Sequence, residues 1–160
     1  MTGTIEQRLQ RVEDIEAIKR LRYLYAYGAN IIDGKSGDLA AFGALFAEDG
    51  IFDVGMGVAT GPAEIEAMMR GLTTQWHSAM HYMINPVIDL DGDRASGTVT
   101  GLFAFGHAEP APPVWLCNIY QDHYVRTVAG WRFQSVAIKT VFADPGFLAG
   151  YADELARGEA

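Results

Sequence analysis

The chain has 160 residues, 49% hydrophobic and 20% charged, with a formal charge of -8, which fits one domain over 1–160 on an allowance of about 150 residues per domain. Its single cysteine, Cys117, excludes an internal disulfide and a Cys-rich zinc site. The acidic balance excludes a nucleic-acid partner, which requires a basic face, and no apolar run approaches the roughly 18 residues of a membrane helix. The polar, mixed-charge start from Thr4 to Asp14 does not resemble a signal peptide, so a cytoplasmic protein is expected.

The first element is a helix. Ile15, Ile18, Arg22, Tyr25, Ala26, Ala29 and Asp33 recur at the 3.6-residue period, Leu21, Leu24 and Ile32 widen the stripe, and Gly34 supplies the stop. Asp38 caps a second, short helix through Leu39, Phe42, Leu45 and Phe46. Gly50 to Val54 reads as a strand and Gly55 to Gly61 as a glycine-rich turn or flap. Pro62 opens a third helix through Ile65, Met68, Met69 and Leu72. Beyond Trp76 the pattern becomes extended. Met80–Leu90 and Arg94–Gly106 flank an Asp91-Gly92 hairpin turn. After the connection Glu109–Pro113, a second long hairpin joins Val114–Val128 to Trp131–Phe142 around Ala129-Gly130. Asp144-Pro145-Gly146 ends it, and Phe147–Leu155 is expected to form a terminal helix. Helices first and long antiparallel strands afterwards predict an α+β fold with helices on one face of a curved sheet.

The strand from Met80 is apolar on both faces, with Tyr82, Ile84, Ile88 and Leu90 on one side and His81, Met83, Asn85 and Val87 on the other. Such a strand is covered on both sides. A homodimer interface would cover the second side, and so would the terminal helix.

Asp33 and His81 carry the chemical interest. Asp33, at the carboxyl end of the first helix, opposes the helix dipole and needs a partner if buried; alternatively it caps the following loop. His81 opens a strand in apolar company, as a core histidine does. If the two meet, the carboxylate accepts the Nδ1 proton and leaves Nε2 free as a base. Tyr120, Asn118 and Asp122 share one face of the third long strand, where Tyr120 or Tyr25 could donate to a developing oxyanion or simply pack, and Asp122 could pair with an arginine. His107 would reach a cavity mouth or lie in an exposed loop. Trp76, Met68, Met69, Phe103, Phe105, Trp115 and Phe142, with Asn85 and Asn118, are the candidate substrate contacts, or ordinary core. No metal is expected: His77 and His81 have ligand spacing without the intervening acid of H-E-x-x-H. Gly55, Gly57 and Gly61 do not follow a strand of a βαβ unit, so a dinucleotide fingerprint fails.

Several ordered pieces carry a family resemblance: Tyr25 and Asp33, Leu45-Phe46-Ala47-Glu48-Asp49-Gly50, Gly61-Pro62, Met80-His81-Tyr82 through Asn85, Asp91-Gly92-Asp93, and Asp122-His123-Tyr124-Val125-Arg126 before Gly130-Trp131-Arg132. Together they resemble the SnoaL-like subgroup of the nuclear-transport-factor-2-like superfamily, which includes scytalone dehydratase, bile-acid dehydratase and lindane dehydrochlorinase. The resemblance implies a cone-shaped α+β barrel and places Asp33 and His81 at the positions of a catalytic Asp–His dyad. It also implies a cofactor-independent lyase acting on a small apolar, cyclic or aromatic substrate. The chain departs from that pattern twice. Leu102-Phe103-Ala104-Phe105 is apolar where the dehydratases bring a second polar catalyst, and no arginine stands near Ser135-Val136, where the dehydrochlorinase has one. An isomerase or cyclase using the same proton abstraction, or a ligand-binding module, is therefore the alternative.

Overall fold

The computed structural model describes residues 3–55 and 57–145. Helix α1 (Ile5–Ala29) starts on a capping box: the Thr4 hydroxyl accepts from the Gln7 backbone at 3.3 Å, and the Gln7 side chain accepts from Thr4 N–H at 3.0 Å. Its buried face carries Asp14, Ile18, Leu21, Arg22, Tyr25, Ala26 and Ala29. The helix ends four residues earlier than the sequence predicts. Asn30 turns extended, and Asp33-Gly34 form the turn of a short hairpin between β1 (Ile31–Ile32) and β2 (Lys35–Ser36). Both turn residues have positive φ, 52° and 73°, as a type I′ hairpin demands. Asp33 is thus an exposed turn residue rather than part of the buried helix face, and Leu24 and Ile32 are exposed too.

Asp38 caps α2 (Leu39–Gly43), its carboxylate accepting from Ala41 N–H at 2.9 Å. Strand β3 (Phe46–Asp53) begins where the sequence pattern still read as helix. Part of the expected flap is a strand, β4 (Val58–Thr60), paired with β3, and α3 (Gly61–Thr73) follows with Pro62 in its first turn. The long strands are β5 (Ser78–Asp91), β6 (Arg94–Gly106), β7 (Val114–Thr127) and β8 (Gly130–Ala143). All join one sheet in the order β2-β1-β5-β6-β7-β8-β3-β4, antiparallel except for the β3–β8 pair. The result is the expected α+β architecture: a strongly curved half-barrel whose inner face packs on the helices. The terminal helix expected over Phe147–Leu155 lies outside the described residues.

Strand β5 changes face midway. A bulge between Ile84 and Val87, at Asn85-Pro86 with Asn85 at φ 53°, shifts the register. Ala79 is buried, and His81 and Met83 half-buried, before the bulge; Ile88 and Leu90 pack on the core after it. An extra residue inverts alternation, so Ile88 and Leu90 do not share a face with the exposed Tyr82 and Ile84. Helix α1 is anchored at the sheet's far end by Asp14, which accepts two Arg126 N–H groups at 2.8 and 2.6 Å and the Trp131 indole N–H at 3.1 Å. The Arg126 hydrogen bonds hold the Asp14 carboxyl below its ordinary range despite burial.

Candidate active site

Between the helices and the sheet lies a cavity of about 490 Å³, lined chiefly by apolar side chains. Tyr25 of α1 and Tyr120 of β7 meet edge-on at its floor, 5.8 Å between ring centres. Room for the Tyr120 ring, and for Phe103 beside it, exists because position 101 is glycine: a Cβ there would stand 2.7 Å from the Tyr120 ring. Beneath them Arg22 is 1% exposed. Its guanidinium carbon lies 4.4 Å from the Tyr25 ring centre and 4.6 Å from those of Tyr120 and Phe133, and its Nη2 forms an ion pair with Asp122. Asp122 also accepts from the Tyr124 hydroxyl at 2.7 Å. Burial opposes the arginine's charge, but Asp122 and the neighbouring tyrosines more than offset it, so Arg22 stays cationic. Burial pushes Tyr25 up to about 12, with Arg22 pulling against it, and pushes Tyr120 well above its ordinary value. Both phenols are therefore neutral hydrogen-bond donors near pH 7.

His81 forms part of the wall. Its ring packs edge-on to Phe103 at 4.8 Å and Phe105 at 6.0 Å. Its partner is Asn30, not Asp33. The Asn30 Oδ1 accepts from the His81 backbone N–H at 2.8 Å and lies 3.2 Å from the ring Nδ1. Asp33 does not line the cavity. The sequence reading placed it on α1, but the hairpin turn carries it outward. Burial pushes the His81 ring down to about 3, and among the cavity-lining residues there is no carboxylate to oppose that.

Trp76, Met69, Phe103, Phe105 and Asn118 line the cavity as expected. Asn118 is 5% exposed, and its Oδ1 has no partner among the described residues. The other expected contacts lie elsewhere. Met68 packs on the core beside the cavity. Asn85 is exposed at the bulge, and Trp115 (39% exposed) and Phe142 (54%) are surface residues of the sheet. For Asn85 the bulge is the cause; for Trp115 the cause is alternation, since its neighbours Val114 and Leu116 are the buried ones. His107 is exposed and lies against Trp76, the ring centres 4.9 Å apart and the planes tilted by 39°, one side chain removed from the cavity. Asn30 and Arg22 were missed as site residues. Nothing local marks Asn30, and the helical period places Arg22 on the apolar stripe without naming what it would meet there. Among the described residues no group of three metal-binding side chains converges, and no helix is long and apolar enough to cross a membrane.

No curated protein matches the chain by sequence. Solved structures match its fold. A candidate scytalone dehydratase from Novosphingobium aromaticivorans superposes with a TM-score of 0.72 at 22% identity, covering 84% of this chain and 88% of its own. The hexachlorocyclohexane dehydrochlorinase LinA-type3 from Novosphingobium barchaimii gives 0.74 at 19% identity, covering 86% and 93%. A single-site variant of Rv3472 from Mycobacterium tuberculosis, of unknown function, gives 0.72 at 20%, covering 86% and 76%. At these identities the likeness is one of fold. The family model for the SnoaL-like domain matches residues 10–137, and the chain belongs to that family.

Proposed function

We propose that the protein is a cofactor-independent lyase of the dehydratase type, acting on a small apolar, cyclic or aromatic carbonyl compound. One observation carries this: His81 engages Nδ1 with Asn30, leaving Nε2 as the uncommitted ring nitrogen on an apolar cavity floored by two neutral phenols. Nε2 takes a proton alpha to the carbonyl, and the C–H electron pair moves into the carbonyl. The enolate oxygen then receives hydrogen bonds from Tyr25 or Tyr120, backed by the Arg22 cation. The enolate then collapses, forming a C=C bond as the C–O bond to a hydroxyl on the beta carbon breaks, and the departing oxygen takes the Nε2 proton and leaves as water. The similarity to dehydratase and dehydrochlorinase structures supports an elimination. The apolar Phe103 and Phe105 on β6 favour a second reading, an isomerase in which the same proton returns to another carbon. Deuterium exchange into a cyclic ketone, followed by NMR in D2O, tests both. His81→Ala is expected to lose about 10²- to 10⁴-fold in rate, and equal rates in the two proteins refute the role of His81. Product analysis separates loss of water from proton return.

The surface side of the sheet supports a homodimer. Met80 and Tyr82 stand exposed on β5. The register continues them through Ala104 to the half-exposed Trp115, and through Leu102 to Cys117. This leaves an apolar stripe three strands wide, of the kind that a second copy covers. Sedimentation is expected to show a dimer for the wild type and a monomer for Tyr82→Lys. A monomeric wild type refutes it.

A further inference from the structure

We propose that Asn30 is the positioning residue of this site: it fixes His81 as the Nδ1–H tautomer while withholding a counter-charge, which restricts turnover to carbonyl compounds with an unusually acidic C–H. The restriction on substrate rests on the proposed function; the role of Asn30 does not.

The same Asn30 atom lies 2.8 Å from the His81 backbone nitrogen and 3.2 Å from its ring Nδ1. A backbone N–H can only donate, so that atom is the amide oxygen and not the amide nitrogen. The ring contact then requires Nδ1 to donate as well, which leaves Nε2 unprotonated in the neutral ring. The amide is built in rather than incidental. Its residue sits at the corner where α1 becomes β1, its own N–H bonded to Ala26 O at 3.1 Å and its carbonyl to Gly37 N–H at 3.1 Å. Ile31, next in the chain, pairs with Ala79 two residues before His81.

An amide orients the imidazole as a carboxylate would, but it carries no charge to stabilise the imidazolium. Among the described residues no other group replaces it. From β6 the ring meets Phe103 and Phe105; from α1 and β7 the cavity presents the neutral phenols Tyr25 and Tyr120; from β8 it presents Ile138, Thr140 and one ionisable group, the cation Lys139. His107 stands behind Trp76, and Asp33 is exposed in its turn. Once Nε2 has taken a proton, no carboxylate among the described cavity-lining residues stands beside it, and the enolate just formed is the anion that meets it. A base so poorly supported removes only an acidic proton. The substrate class is therefore a ketone whose C–H is flanked by a second carbonyl or by an arene that conjugates with the enol.

Nitrogen-15 NMR of the imidazole, across a pH series, reads the tautomer directly. In the wild type, Nδ1 is expected to carry the proton and Nε2 none, with no titration near neutral pH. Asn30→Asp is expected to raise the ring's titration midpoint by about one to three pH units, the effect of an adjacent opposite charge. If that variant does not fold, Asn30→Ala decides, and is expected to mix the two tautomers. An Nε2–H wild type, an unmoved midpoint in Asn30→Asp, or a single unchanged tautomer in Asn30→Ala overturns the role of Asn30. Deuterium exchange completes the test with 2-tetralone, whose C1 lies between arene and carbonyl, and with cyclohexanone, which lacks that activation. The wild type is expected to accelerate the first and not the second. Equal acceleration of both overturns the substrate restriction. No acceleration of 2-tetralone, with the tautomer as expected, overturns the proposed function and leaves the role of Asn30 standing.

Discussion

At the floor of the half-barrel Arg22 is enclosed by three aromatic rings and paired with Asp122, which also holds the Tyr124 hydroxyl. Higher in the same cavity, His81 offers an uncommitted Nε2 and Asn118 a buried oxygen without a partner among the described residues. Both regions are walled by aromatic and aliphatic side chains, so burial alone does not distinguish them. What differs is charge. The floor answers its buried charge with an opposite charge and π faces, although Arg22 Nε and Nη1 form no hydrogen bond among the described residues, whereas the wall sets neutral polar groups on the cavity with no carboxylate among the described lining residues to answer them. The first arrangement serves stability and sets the field under the phenols; the second is what a ligand site looks like before the ligand arrives.

The sharpest way to break this contrast is to remove one charge from the floor. Asp122→Asn leaves the Arg22 cation buried without its counter-ion, and the expected cost is about 3–5 kcal/mol in urea denaturation, as for other broken buried pairs. Arg22→Met combined with Asp122→Asn is expected to recover much of that loss, because no unmatched charge remains. If the single change costs under about 1 kcal/mol, the floor is not an electrostatic foundation and the contrast with the wall collapses.

How far the sequence reveals these two regions follows from the range of the forces involved. The β5–β6 and β7–β8 hairpins are legible because turn chemistry is local: Asp91-Gly92 and Ala129-Gly130 sit between long alternating runs. Asp33-Gly34 carries the same local signal, yet its flanking strands are two residues each, too short to show alternation, and the helical period runs over it. That one misplaced boundary moved the expected partner of His81 by three residues, from Asp33 to Asn30. His81 itself was legible because a polar residue on an apolar strand face is anomalous. Its partner was not, since Asn30 meets it across 51 positions of chain. The Arg22–Asp122 pair spans a whole domain, and only the possibility of an arginine beside Asp122 could be stated from alternation. The bulge at Asn85 does carry a local signal, Pro86 inside a strand, which a reading by alternation alone passes over.

The smallest expected effect bears on the other half of the contrast. Asn118→Leu replaces the unpartnered Oδ1 with a side chain of similar size that needs no hydrogen bond. Where a buried acceptor is unsatisfied, its removal is stabilising by about 1 kcal/mol or neutral, because the desolvation penalty disappears with the group; modest overpacking by the branched side chain acts in the opposite direction. Chemical denaturation of the unliganded protein is therefore expected to show stability equal to or above that of the wild type, the reverse of Asp122→Asn further along the same face of β7. Turnover should move the other way, with KM for a hydroxylated cyclic ketone rising about tenfold as one charge-free hydrogen bond is lost. A clear destabilisation by Asn118→Leu would mean that the amide already serves the fold. The role of that amide would then lie in the fold, and His81 would remain as the group awaiting a ligand.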